Sequence, residues 1–210
     1  LLYGIYRLRL YRIRKHEREL EAEVQVRTRE LAEEKRKSDE LLLNILPPKV
    51  AEELKQHGKS KARRHDPVTV MFSDFKAFTR IAEQMPPEEL VHEIDYCFRH
   101  FDKIIEKYDL EKIKTIGDAY MCVGGISGKS EEIAVKVVKA ALEFQEFLKV
   151  TGEEKEKAGR PYFEARIGIH TGAVVAGIVG IKKFAYDIWG DTVNIAARVE
   201  HNSLPGKVNV

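Results

Sequence analysis

The chain opens on a stretch in which apolar residues recur at steps of three and four. The seam runs Tyr3, Tyr6, Leu10, Ile13, Glu17, Leu20, Val24, Arg27, Leu31, Glu34, Ser38, Leu41, Ile45, with Glu, Lys and Arg dense on its flanks. Nine of these thirteen positions are apolar, which predicts a long helix over residues 1–46 that pairs as a parallel coiled coil. Glu17, Arg27, Glu34 and Ser38 interrupt the seam and weaken it, as a switchable pairing would require. Pro47-Pro48 then end the helix, because the residue before a proline is driven out of the α region, while proline suits the first turn of the next helix. PPKVAEEL therefore predicts a short second helix, and the polar, basic GKSKARRHDP separates it from the rest of the chain; residues 47–66 form a linker or transducer element.

From Val68 the pattern changes. VTVMFSDF alternates toward a strand, and PPEELVHEIDYCFRHFDKIIEKY has helical apolar spacing after a proline start. EKIKTIGDAYMCVGG reads as two short strands around Gly-Asp. SEEIAVKVVKAALEFQEFLK is a helix with Ser130 as its cap and Glu131 and Glu132 in the first turn. FEARIGIHTGAVVAGIVG reads as two strands around Thr-Gly, GDTVNIAARVEHN as a helix that Asp191 or Thr192 can cap, and KVNV as the start of another strand. The order strand–helix–strand–strand–helix–strand predicts an α/β (α+β) domain with a ferredoxin-like βαββαβ core over residues 67–210.

Composition refines this picture in three places. A charged fraction of 33% exceeds the ~25% usual for globular chains and fits the long solvated helix. The net charge of +2 gives no reason to expect nucleic acid as a partner, so any phosphate must be met by local positive groups. Cys97 and Cys122 have neither CxxC nor Cys/His spacing, which argues against a zinc site or disulfide framework and fits a reducing compartment. No run of 18 apolar residues is present. Even so, LLYGIYRLRLYRIRK carries Arg7, Arg9, Arg12, Arg14 and Lys15 without an acid, like the end of a membrane span and its cytoplasmic basic collar, or like an ordinary basic helix.

Three groups of residues could carry chemistry. Asp74 ends a mostly apolar strand and Asp118 occupies a hairpin tip; if the strands are neighbours, both carboxylates reach one pair of hard cations. Aspartate is also a common strand-end and turn residue, so spacing alone leaves a structural role open. After Asp74, FKAFT must turn into a helix whose free amides can receive phosphate oxygens. Asn194 and Arg198, four apart, project from one helix face and suit a sugar and a phosphate, or form an exposed polar stripe. GGISGKS is a decoy: Gly124 and Gly128 enclose three residues where a P-loop needs four.

MFSDFKAFT, IKTIGDAYM, ARIGIHTG and YDIWGDTVNIAARVE together resemble the successive signature segments of class III adenylyl and guanylyl cyclase catalytic domains. LLLNILPPKVAEELK resembles the linker upstream of those domains, and the seam before it resembles their signalling helices. The resemblance implies a homodimer with active sites between subunits. It assigns Asp74 and Asp118, with the carbonyl of Phe75, to two Mg²⁺ or Mn²⁺ ions, and the turn containing Phe78 and Thr79, with Arg166, to the triphosphate. From the partner subunit, Lys114 and Asp187 meet the purine beside Ile188 and Trp189, Asn194 meets the ribose and Arg198 the phosphate in the transition state. Guanylyl cyclases of this family carry Glu and Cys where this chain has Lys114 and Asp187. The expected activity is therefore an adenylate cyclase converting ATP to cyclic AMP, with a guanylate cyclase or a non-catalytic dimerising module as alternatives. An upstream sensor or transmembrane domain and a position at the cytoplasmic face of the plasma membrane follow from the same resemblance. The family's domain continues past GKVNV through further strands and a late phosphate-contacting lysine, so the resemblance implies an incomplete catalytic domain here.

Overall fold

The structure, a computed structural model, describes residues 2–126, 128, 132–180 and 185–210, and in the first helix the side chains other than those of Leu2, Ile5, Leu8, Leu10 and Ile13. The predicted Ser130 cap with Glu131, most of the GKS stretch and the side chains of two seam positions lie outside the described residues. The chain divides into two compact units, one ending at Ser60 and the other running from Lys61 to Val210.

The first unit holds α1 (Leu2–Leu43) and α2 (Pro48–His57). Pro47 stands extended at the entrance of α2, and Gly58, in the left-handed region at φ 67°, closes it by donating its N–H to Leu54 O. Leu46, Val50 and Ala51 are buried, whereas Val24, Leu31, Leu41 and Ile45 on the seam are exposed. The stripe of α1 through Val24, Leu31 and Leu41 thus faces solvent in the single chain.

The second unit is built from β1 (Arg63–Phe75), α3 (Phe78–Ala82), α4 (Pro87–Lys107), β2 (Glu111–Ile116), β3 (Ala119–Gly124), α5 (Ile133–Lys157), β4 (Ala165–Val179), β5 (Ala185–Trp189), α6 (Asp191–His201) and β6 (Val208–Asn209). The sheet order is β2-β3-β1-β4-β5, antiparallel throughout, with β6 added parallel to β4. This is the predicted βαββαβ core with additions.

Alternation along β4 assigns the two faces of the sheet. Ala165, Ile167 and Ile169 enter the main core with Met71 and Phe75 of β1, Phe101 of α4 and Phe144 of α5. The Phe101 and Phe144 rings stack at 3.9 Å, joining the two helices over that face. Gly168 and Gly172 point the other way, toward α6: a Cβ on Gly168 would lie 2.0 Å from the Glu200 nitrogen, and one on Gly172 would lie 2.6 Å from Thr192 Oγ1. Four strand residues (~13 Å) match eight helix residues (~12 Å), so α6 lies along β4 with close contact at both ends.

Two local expectations are corrected. Thr171-Gly172 does not turn the chain: β4 is one 15-residue strand whose ladder with β1 runs continuously through Thr69↔Thr171 and Val68↔Gly172. Gly172 is explained by the close approach of α6. Neither Asp191 nor Thr192 caps α6, whose N-cap is Gly190 at φ 145° without a side-chain bond. The Thr192 hydroxyl instead donates to Ala173 O at 2.7 Å, fastening the helix to β4.

Candidate functional site

The strand-neighbour condition for the two aspartates is met. β1 pairs with β3 through Ser73↔Tyr120, which brings the Gly117-Asp118 turn beside the end of β1. Burial, then the negative charge of Asp74, push the Asp118 carboxyl above its ordinary value, while its own and the Phe75 backbone amides oppose the shift. Across the sheet Asp74 stands directly opposite Arg166 of β4, whose Nη2 donates to Asp74 Oδ2 at 2.6 Å. Two crowded carboxylates with one guanidinium, bonded to Asp74, leave excess negative charge, so the pair fits a divalent cation. Among the described residues no group of three or more His, Cys, Asp or Glu could hold a metal ion, and hard cations held by one or two carboxylates complete their shell with water and phosphate oxygens.

After β1 the chain turns through Lys76 and Ala77, the latter in the left-handed region at φ 54°, into α3, whose start has no side-chain cap. Phe78 packs on Phe163 at 5.8 Å between ring centroids, which fixes the turn, while Thr79 stays exposed. Phe75 lies in the core, stacked at 4.6 Å on Phe163.

The second predicted group forms elsewhere on the unit. Lys114 of β2 and Asp187 of β5 belong to outer strands of the hydrogen-bonded order, yet Lys114 Nζ lies 2.5 Å from Asp187 Oδ2. The sheet therefore coils enough to bring its outer strands together. The other oxygen, Asp187 Oδ1, accepts from the Ile188 backbone N–H at 2.9 Å, which orients the carboxylate. Ile188 is buried and Trp189 is 40% exposed.

On α6 the residues divide by face. Thr192, Ala196 and Glu200 are buried at steps of four, toward the sheet, and Asn194 and Arg198 are exposed. Asn194 and Arg198 thus share a face directed away from the Asp74–Arg166 pair of their own chain.

Glu200 is the one polar group at this site that sequence reasoning missed. Its Oε1 lies 3.2 Å from Arg166 Nε, yet the two buried atoms are out of line for a hydrogen bond and have no other partner among the described residues. Burial, then Asp74, push its carboxyl up, and Arg166 opposes the shift. A carboxylate on the Thr192–Ala196 stripe of α6 was the available signal, since a charge at a buried helical position needs a counter-charge.

Two concavities of about 460 and 620 Å³ flank α5 and are lined by none of the predicted site residues. No described helix is long and apolar enough to cross a membrane.

Comparison with known proteins bears directly on this arrangement. Residues 60–210 match the adenylate and guanylate cyclase catalytic domain, and residues 1–54 match a region described as heme NO binding associated. The receptor-type guanylate cyclase gcy-13 of Caenorhabditis elegans is 40% identical over 94% of this chain and 19% of its own length. Human atrial natriuretic peptide receptor 2 is 38% identical over 96% of this chain and 19% of its own. The chain thus spans less than a fifth of these relatives.

Among solved structures, the adenylyl cyclase CyaB from P. aeruginosa superposes with a TM-score of 0.66 at 29% identity, over 71% of this chain and 78% of that one. The catalytic core of a rhodopsin-guanylyl cyclase with converted specificity, in complex with ATPαS, gives 0.64 at 32% identity, over 71% and 79%. With the family match covering most of the residues and the two aspartates brought together by neighbouring strands, this chain belongs to the adenylate and guanylate cyclase catalytic domain family.

Proposed function

We propose that residues 67–210 are the catalytic part of an adenylate cyclase converting ATP to 3′,5′-cyclic AMP and pyrophosphate at sites shared by two copies of the chain. The observation that carries the choice of ATP is the Lys114–Asp187 pair. An ammonium and a carboxylate side by side match the N1 acceptor and exocyclic amine donor of adenine, whereas guanine presents the opposite polarity at both positions. Against guanine both groups would be left unpaired, a mismatch that discriminates strongly.

Asp74 and Asp118, with the Phe75 carbonyl, would hold two Mg²⁺ or Mn²⁺ ions. Bound there, such ions neutralise charge on the triphosphate and lower the pKa of the 3′-hydroxyl. The uncapped start of α3 and Arg166 receive phosphate oxygens, with Phe78 holding the turn and Thr79 exposed at its edge. Lys114 and Asp187 bind the base, with Ile188 presenting backbone and Trp189 an exposed ring. Asn194 orients the ribose so that its 3′-oxygen lies in line with the α-phosphate, and Arg198 stabilises the charge that develops during attack. Because Asn194 and Arg198 point away from their own aspartates, they serve a nucleotide held by the partner's metal site. Residues 1–46 act as a signalling helix and residues 47–66 as its transducer, under an upstream sensor or transmembrane domain. The receptor-type relatives support a position at the cytoplasmic face of the plasma membrane, and the heme-associated match of residues 1–54 supports sensor input through this segment.

A second reading, guanylate cyclase, is favoured by the names of the receptor-type relatives. Overall identity follows fold and ancestry, whereas two side chains read the base. The converted rhodopsin-guanylyl cyclase that holds ATPαS illustrates how a cyclase core can change purine on one scaffold. The test is the ratio of kcat/KM for ATP and GTP in the full-length protein with Mn²⁺. We expect ATP to be preferred, and Lys114→Glu with Asp187→Cys to reverse the preference; a native preference for GTP would overturn the ATP reading.

A further inference from the structure

Arg166 is held at three points. Its Nη2 donates to Asp74 Oδ2 at 2.6 Å, its Nη1 to His201 O at 3.3 Å, and its Nε faces Glu200 Oε1 at 3.2 Å. Two of the three holds come from the end of α6. Gly168 lets that end sit on the sheet: with no side chain there, the Glu200 backbone rests directly on β4, two residues from Arg166 and on the same face. The side chains of both partners are largely buried, at 23% and 11% exposure, so the pair is little screened by water.

The Asp74 contact and the Glu200 contact differ in consequence. Asp74 is a proposed cation ligand, and a divalent ion on its carboxylate both offsets the negative charge that attracts Nη2 and repels the guanidinium. The hold of Asp74 on Arg166 therefore weakens when the site is loaded. A guanidinium with no second carboxylate would either stay on Asp74 or leave toward solvent. Here Nε and Glu200 Oε1 are already in range but misaligned, and neither has another partner among the described residues. A small turn of the guanidinium plane that lifts Nη2 off Asp74 can bring Nε into line with Glu200.

We infer that Glu200 is the positioning residue for Arg166, holding the guanidinium by its Nε edge so that the Nη2 end exchanges Asp74 for a phosphate oxygen of the substrate. This rests on the nucleotide-cyclase reading but not on which purine is used. Glu200 touches neither substrate nor cation in this role.

The test uses inorganic tripolyphosphate with Mn²⁺, measured by calorimetry on the whole chain, so that neither turnover nor base recognition enters the result. Glu200→Gln should weaken tripolyphosphate about tenfold, as expected for loss of one charge-assisted contact. The same substitution made in an Arg166→Ala chain should change nothing further. A merely structural or through-space role for Glu200 would persist when Arg166 is gone, and that outcome overturns the inference, as does unaltered binding in Glu200→Gln. If Glu200→Gln melts well below the parent, Arg166→Lys serves instead: lysine keeps the charge but has no Nε edge for Glu200 to hold, and the same loss is expected. In the full-length protein the Glu200→Gln loss should appear in the KM for nucleotide more than in kcat. Failure of the cyclase reading would show separately, as absence of any cyclic nucleotide product from ATP or GTP.

Discussion

Asp118 is pushed above the ordinary carboxylate range by burial and by the charge of Asp74, so without cations the folded chain binds a proton there more readily than the unfolded chain does. Stability from that proton is present at low pH and lost as pH rises through the raised value. A divalent ion replaces the proton, so its stabilising effect should grow with pH. Thermal melting with and without Mn²⁺ should show a small increment at roughly pH 4 and a clearly larger one at roughly pH 8. An increment independent of pH would remove Asp118 from the cation set. At this scale the sequence was informative about residue type and less so about partnership. Asp74 and Asp118 were identified from strand-end and hairpin-tip positions, but the ion pair between Lys114 and Asp187 links residues 73 apart, and only the family resemblance joined them beforehand. Glu200 stayed hidden because its role depends on a strand 34 residues earlier, and nothing local to GDTVNIAARVE distinguishes it from a solvated acid.

Elements were legible where their causes are local. The proline entrances of α2 and α4, the Gly-Asp hairpin between β2 and β3, and the helical spacing of α4 and α5 are set by neighbouring residues, and each matches the structure. β4 was misread because Gly172 owes its presence to α6, which arrives from the other side of the sheet. Of the two docking glycines, Gly168 makes the strongest prediction at this level. Gly168→Ala places a methyl 2.0 Å from the Glu200 nitrogen, a backbone atom that cannot rotate aside. It should destabilise the unit by ~2–3 kcal/mol in denaturant unfolding. Gly177→Ala meets the Ala62 methyl at 3.3 Å, the Ala62 Cα at 3.4 Å and the Trp189 ring at 3.7 Å, none of them an overlap like that at Gly168, and should cost markedly less. Equal costs would mean that α6 is not seated by backbone contact.

For the whole molecule, the question is how many chains make one site. On the proposed arrangement, Asp74→Ala and Arg198→Ala each abolish both sites of a homodimer, but a mixed dimer retains one. Random mixing in the full-length protein should restore about a quarter of parental activity from two inactive pools. Recovery near zero would place all the catalytic groups within one chain. The exposed stripe Val24–Leu31–Leu41 of α1 supports pairing of the same two copies through their helices.

The single continuous β4 carries a consequence for how such a chain can drift. Arg166, Gly168 and Gly172 are all even-numbered, and on a period of two that parity is what keeps them facing α6. One residue gained or lost between Gly168 and Gly172 would turn Gly168 and Arg166 into the core and swing Ile167 and Ala165 outward. The helix would lose its seat and the cluster around Asp74 its guanidinium in the same event. The spacing of this segment is therefore closed to insertion and deletion even where individual side chains could change, and descendants of the sequence should vary in residue type along β4 but not in length.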